Sequence, residues 1–498
     1  MHAILACLLL PVACLAQPLE PATRADAGLA YLRVERALAS REHTHDERRQ
    51  ANLRFDQATS LFFSGRLDRA TRALNDLAAE LRASPRSAAT SAAESLVARP
   101  EPSILFLDEP APLTLRLASL YAEPGPRPLT LRLALIAPDH AVTYSTPITL
   151  DADQASISLP IPLDPMTLEP GRYTITLADP DFPAAAVEIG FWAVTPTRPS
   201  AIRASVEERL GPVGRQPTPP GNDPIMILRP ILTGAKAMCL ARAGLLDDSL
   251  PLHSSASILL DPAALASEVV GESLLLAEGF DPYAGRLGDW WTSFDLDGVL
   301  VPARVYIPPA LADNPAPRPL VIALHGAGGD EHLFMNGYGA GVLKDLADSH
   351  RFIALSPLTY NLAGRPDALA RLIDAVDAIA RPRGGVDRNR VFLLGHSLGG
   401  GAASLFAARA DDHLAAVACL AGAGPLAAAP SCAPTLIYAA ELDPIIPASR
   451  LRLIARRAAE AGLPVEYREA SGQGHTLVVG DILPEVIEWL LARPQVPR

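Results

Sequence analysis

The chain has 498 residues, 49% hydrophobic and 20% charged, with a formal net charge of −12 and a pI near 5.4. These proportions belong to a globular protein long enough for several cores and exclude a largely disordered chain. The acidic balance, uninterrupted by any basic cluster, argues against a nucleic-acid partner.

Residues 1–16 are apolar but too few to span a bilayer. They end in Cys14-Leu15-Ala16, small at the third and first positions before a cut at Gln17. That is the outline of a secretory signal peptide, although it lacks Lys and Arg at its start. An exported protein, periplasmic or extracellular, is expected. Val12-Ala13-Cys14 offers an alternative in which Cys14 carries a lipid anchor. No later stretch reads as an integral membrane segment. After cleavage Cys239, Cys419 and Cys432 remain, with no C-x-x-C spacing. Neither a disulfide framework nor a zinc site is expected, and buried free thiols are favoured over a Cys419–Cys432 pair.

Residues 24–95 read as helical. Ala27, Leu29, Ala30, Leu32, Ala37 and Leu38 mark an apolar stripe, and a second segment from Phe55 breaks at Ser64-Gly65 before resuming at Thr71. The expectation is one helical hairpin of tetratricopeptide kind. His43-Thr44-His45-Asp46-Glu47 is read as a solvated helix face in preference to a metal site. Over residues 100–196 the period shortens to two. Leu113–Leu117, Leu129–Leu135 and Arg172–Leu177 alternate like half-buried strands, with Pro, Gly and Asp between them. A small antiparallel β-sandwich of immunoglobulin-like type follows from that spacing. Residues 197–285 form a helical and linker region, with linker composition at 215–221 and helices from Ile227 and Pro262.

Residues 286–498 begin with two strands around Asp297-Gly298. Strands and helices then alternate to the end, as in a mostly parallel sheet covered by helices on both faces. Val391-Phe392-Leu393-Leu394 is a buried strand running into Gly395-His396-Ser397-Leu398-Gly399, and a small-residue helix follows. Strand, tight G-x-S-x-G turn and helix make a nucleophile elbow, with Ser397 at a helix N-terminus. Leu320–Leu324 is another buried strand, ending in His325-Gly326-Ala327-Gly328-Gly329. The amides of Ala327 and Leu398 are therefore the candidate oxyanion hole. His325 is read as orienting its loop.

A serine hydroxyl needs a base, and the base needs an orienting carboxylate. Downstream of Ser397 these must stand at strand ends. Thr435–Ala440 is followed by Glu441-Leu442-Asp443, where Asp443 is the candidate acid and Glu441 its local competitor. Val465–Ala470 is followed by Ser471-Gly472-Gln473-Gly474-His475. The other downstream histidine, His413, precedes a strand and so lies at the wrong end of the sheet; His475 is the candidate base.

These motifs, taken with Asp387-Arg388-Asn389-Arg390-Val391 before the elbow and Leu442-Asp443-Pro444-Ile445-Ile446-Pro447 after it, resemble the α/β-hydrolase fold. The resemblance is to its branch near dienelactone hydrolases, feruloyl and polyhydroxyalkanoate esterases and prolyl oligopeptidase-type enzymes, and it covers roughly residues 290–495. It implies an exported carboxylesterase with a Ser397-His475-Asp443 triad, acting on a small-molecule or polymer-linked ester without metal or organic cofactor. A prolyl oligopeptidase-like peptidase and a non-catalytic binding protein on the same fold are the alternatives. The short link after Leu420 leaves no room for a lipase lid, and the β region is too small for a propeller. Asp330, Glu331, His332, Tyr338 and Tyr360 are candidate substrate-loop residues without assigned roles.

Overall fold

The structure, a computed structural model, describes residues 19–493 apart from 83–85, 123–127, 152–155, 212–223, 253, 297, 410–412 and 427–431. The leader-like residues 1–16 with Cys14, and the linker at 215–221, lie outside the described residues.

Thr23 and Thr44 each stand three residues before a carboxylate. Thr23 Oγ1 accepts from Asp26 N at 3.3 Å while Asp26 Oδ2 accepts from Thr23 N at 2.8 Å; Thr44 and Glu47 repeat this at 3.2 and 2.8 Å. These reciprocal caps start α1 (Arg24–Ala39) and α2 (His45–Phe63). His43 to Glu47 thus form a helix start. The chain turns at Ser64-Gly65 and resumes as α3 (Leu67–Leu81). The expected two-helix hairpin is instead a three-helix unit, because α1 and α2 each contribute apolar faces against α3. Ala30, Val34, Phe55, Leu74 and Ala78 share that core, and Leu477 from the far end of the chain inserts into it.

Helix α4 (Ala88–Ser95) leads into β1 (Leu96–Glu101), β2 (Ile104–Phe106), β3 (Thr114–Ser119), β4 (Leu129–Ile136), β5 (Val142–Leu150), β6 (Ser156–Pro160), β7 (Gly171–Asp179) and β8 (Phe182–Thr195). They form a three-stranded sheet, β1-β3-β6, and a five-stranded one, β2-β8-β7-β4-β5. Leu117 of the first packs with Leu131, Leu133, Ile175 and Trp192 of the second. The five-stranded layer is not purely antiparallel. After β1 the chain crosses between sheets at Pro102-Ser103 and arrives at the edge parallel to β8, pairing Ile104 with Ala193.

Helices α5 (Pro199–Leu210), α6 (Pro224–Ala243) and α7 (Pro262–Ala277) follow. Ile202, Val206, Cys239, Leu265 and Val269 enter the same core as the first strands of the C-terminal sheet. Arg242, fully buried, donates to Trp291 O at 2.8 Å and pairs with Glu268 and Glu272. A buried guanidinium is tolerable only with such partners.

The remaining elements are β9 (Gly288–Leu296), β10 (Val299–Ile307), β11 (Arg318–Leu324), α8 (Val342–His350), β12 (Ile353–Pro357), α9 (Thr359–Leu362), α10 (Pro366–Ala380), β13 (Val386–His396), α11 (Leu398–Ala408), β14 (Ala416–Leu420), β15 (Thr435–Ala440), α12 (Ala448–Glu460), β16 (Val465–Ala470) and α13 (Val478–Leu491). The eight strands are ordered β16-β15-β14-β13-β11-β12-β10-β9. Neighbours from β16 to β12 pair in parallel, whereas β12-β10 and β10-β9 are antiparallel. Strand alternation sends Leu320, Ile322 and Leu324 to one face and Val321 and Ala323 to the other. Helices cover both faces, which accounts for the near-continuous apolar strands. Cys239, Cys419 and Cys432 are free thiols. Among the described residues no helix is long and apolar enough to cross a membrane.

The three-helix unit docks on this sheet assembly. A Cβ at Gly28 of α1 would lie 1.8 Å from the carbonyl oxygen of Ser255, so the two segments touch backbone to backbone. Gly28→Val is expected to cost about 1–3 kcal/mol or more, as overpacking does. A lowered urea midpoint is the expected readout, and an unchanged midpoint would show that the contact is not tight.

Candidate active site

Ser397 is the hinge between β13 and α11, with φ +55° and ψ −113°. Such a backbone costs on the order of 1–3 kcal/mol for a non-glycine residue and persists only where packing enforces it. The enforcement is visible at its flanks. A Cβ on Gly395 would lie 2.2 Å from Gly399 O, and one on Gly399 2.0 Å from Leu324 O. Ser397 N donates to Leu420 O at 2.9 Å. The serine is thereby lifted off the end of the strand.

Strand β15 ends at Ala440, and its continuation buries Asp443. Oδ1 of Asp443 accepts from Ile445 N at 2.8 Å and Ile446 N at 2.9 Å, which fixes the carboxylate. Its Oδ2 lies 2.7 Å from His475 Nδ1, and His475 Nε2 lies 3.0 Å from Ser397 Oγ. A carboxylate can only accept, so the proton belongs on Nδ1 and Nε2 faces the serine with its lone pair. Glu441 turns away: it is exposed and accepts from Gly472 N and Ser471 Oγ, each at 2.8 Å. His413 lies just ahead of β14, at the opposite end of the strands from Ser397.

The loop carrying His475 is held from two sides. His475 N donates to both carboxylate oxygens of Asp56 in α2, at 3.1 and 3.0 Å. Gly474 N donates to Asn52 Oδ1 at 2.7 Å, and Asn52 Nδ2 donates to Gln473 Oε1 at 2.8 Å. On the other side His396 Nε2 donates to His475 O at 2.9 Å, while Tyr338 OH donates to His396 Nδ1 at 2.7 Å. Burial, with the neighbouring His475, pushes the His396 imidazole well below its ordinary value, so it stays neutral. Asn52 and Asp56 carry no local sequence signal, since their partners lie more than 400 positions away.

Ala327 and Ser397 face the same cleft. Among the described residues neither Ala327 N–H nor Leu398 N–H has a hydrogen-bond partner, and Leu398 opens helix α11. His325 is fully buried. It accepts from Thr359 N at 3.0 Å through Nε2, donates to Gly326 O at 2.9 Å through Nδ1, and burial pushes its pKa down to about 4. It therefore ties the glycine turn to α9 as a neutral ring.

The candidate substrate-loop residues separate. Tyr338 lines the cleft; among the described lining residues Asp330, Glu331, His332 and Tyr360 do not appear. Asp330 accepts from Ser254 Oγ at 3.0 Å, Glu331 from Trp291 Nε1 at 2.8 Å, and Tyr360 OH from Gly328 N at 2.8 Å. Arg304 donates to His332 Nδ1 at 2.7 Å. These four fasten the loop and do not face the serine. The cleft, an open cavity of about 120 Å³, lies between Ser397, His475 and Ala327 on one side and α1 and α2 on the other.

Residues 319–433 match the family described as alpha/beta hydrolase fold. No curated protein matches the chain. Among solved structures, a thermostable esterase is similar at 23% identity over 41% of this chain, with a TM-score of 0.34, and 63% of that esterase's own length is spanned. An S-formylglutathione hydrolase from Staphylococcus aureus is similar at 16% identity over 42% of this chain and 98% of its own, with a TM-score of 0.35. An esterase from Pyrobaculum calidifontis is similar at 17% identity over 42% of this chain and 84% of its own, with a TM-score of 0.34. The matched segment holds β11 from its second residue, β12, β13 with the elbow, and β14, all paired in parallel, and this segment has the α/β-hydrolase fold.

Proposed function

We propose that this chain is a serine hydrolase that cleaves carboxylic esters through an acyl-enzyme. The observation that carries the reading is the continuous line Ser397 Oγ, His475 Nε2 and Nδ1, Asp443 Oδ2, at 3.0 and 2.7 Å, on a strained elbow. Ser397 Oγ attacks the ester carbonyl carbon as its proton passes to His475 Nε2. The negative charge gathers on the carbonyl oxygen, where the Ala327 and Leu398 amides donate to it. His475 then gives the proton to the departing alkoxide, and the acyl group remains on Ser397. Water enters by the same route in reverse and releases the acid. Asp443 orients the imidazole throughout and stabilises its charged form. The leader-like residues 1–16 support an exported enzyme.

In this reading Asp56 is a positioning residue. Its carboxylate fixes the peptide carrying the base, and that position has an electrostatic cost. Burial, added to by the nearby Asp443 charge, pushes the Asp56 carboxyl from 3.8 up to about 6, against the opposing pull of the His475 N–H and ring.

Fluorophosphonate should label the purified wild-type protein and neither Ser397→Ala nor His475→Ala. Folded wild-type protein that stays unlabelled would leave the non-catalytic binding module as the better reading. For Asp56 the sign follows from linkage: a folded-state pKa above the unfolded one contributes stability at low pH that is lost as pH rises from about 4 through 6. The shift corresponds to roughly 3 kcal/mol. Asp56→Asn carries no such titration, so denaturant titrations at pH 4, 5, 6 and 7 should show the variant gaining on the wild type with rising pH. A constant difference across that range would mean that the carboxylate is not displaced.

A further inference from the structure

We infer that α1 and α2, outside the hydrolase sheet, form the wall that receives the apolar part of the substrate, which is therefore an ester bearing a hydrocarbon group of several carbons. The inference rests on the reading of Ser397 as the nucleophile.

Three observations converge. The cleft that reaches Ser397 and His475 is walled opposite them by Tyr31, Leu32, Phe55, Ala58, Phe62 and Phe63. Among the described lining residues none is Asp, Glu, Lys or Arg. Three of the hydroxyls along the wall away from Ser397 are already engaged. Tyr31 OH donates to Glu35 Oε1 at 2.8 Å, Thr59 Oγ1 donates to Phe55 O at 3.0 Å, and Ser255 Oγ donates to Gly328 O. A charged group, or a peptide needing main-chain partners along its length, would be desolvated there without replacement bonds. A hydrocarbon loses nothing and gains burial.

The third observation is at the mouth. Phe62 packs edge-on against Phe63 at 5.3 Å, with the Arg24 guanidinium 4.7 Å over the Phe62 ring. Phe63 itself is 50% exposed, an aromatic side chain at the rim of a cleft that leads to a nucleophile. The same helix that presents this wall bonds the base through Asp56. A hydrocarbon group between α1 and α2 therefore lies against the element that holds His475 in place.

The geometry leaves open which half of the ester lies in the cleft, and two substrate series separate them. Acyl chains are varied in p-nitrophenyl acetate, butyrate and octanoate; alcohols are varied in ethyl, butyl and octyl acetate. Each buried methylene contributes about 4-fold, so seating roughly three to four methylenes of the longest member gives an expected preference on the order of 100-fold in kcat/KM in one series. Phe63→Asp, an exposed position at which folding is not at stake, should cut that preference at least 10-fold. Thr59→Trp, which narrows the cleft from a half-buried position on α2, should do the same. A wild type that labels with fluorophosphonate but shows no preference in either series would overturn the inference and leave the nucleophile standing. So would a preference that both variants retain, and faster cleavage of short peptides would replace the ester by a peptide. A wild type that does not label removes both readings together.

Discussion

A non-glycine residue with positive φ, placed at the tip of a parallel strand whose last six residues are buried, is the constraint on which the C-terminal architecture depends. Ser397 can hold that conformation only because the chain around it has no side chains to collide. Gly395 and Gly399 keep β13, β11 and α11 at backbone contact, and Gly422 does the same from β14, where a Cβ would lie 2.3 Å from Ser397 O. Three strands and one helix thus converge on one residue. The strain lifts a hydroxyl clear of the sheet, and the parallel pairing delivers the ends of β15 and β16 to the same edge.

The second constraint is electrostatic. The three-helix unit places two buried carboxylates against the hydrolase loops: Asp56 under His475, and Glu35, whose Oε2 accepts from Gly339 N at 3.2 Å. Burial pushes Glu35 up to about 8. Carboxyls in such places weaken folding unless backbone N–H groups compensate them. That two occur at the same interface, both satisfied by loop amides, points to a junction built for geometry more than for stability.

The legibility of the chain follows the range of its interactions. The elbow could be read from eleven consecutive residues because its requirements are local: an apolar strand, room at two glycines, a helix start. Asp443 could be read from its place after a strand, and what its competitor Glu441 does instead, accepting from Ser471 and Gly472, could not. The break at Ser64-Gly65 was readable. The association of three helices where a hairpin was expected was not, because Leu477 completes their core from the far end of the chain. Asn52 and Asp56 look like ordinary polar residues on an amphipathic helix. Only the assembled chain shows that their polar face is buried against the loop that carries His475.

The contact between Asp56 and His475 joins positions 419 residues apart. During synthesis the helical unit emerges long before the loop it must grip. Until then Asp56 lacks the amide that it accepts from, and the core of the three helices lacks Leu477. Contacts of such long range form late and slowly. The sheet can therefore be complete, its last strand ending at Ala470, before Asp56 takes hold of the loop that carries His475.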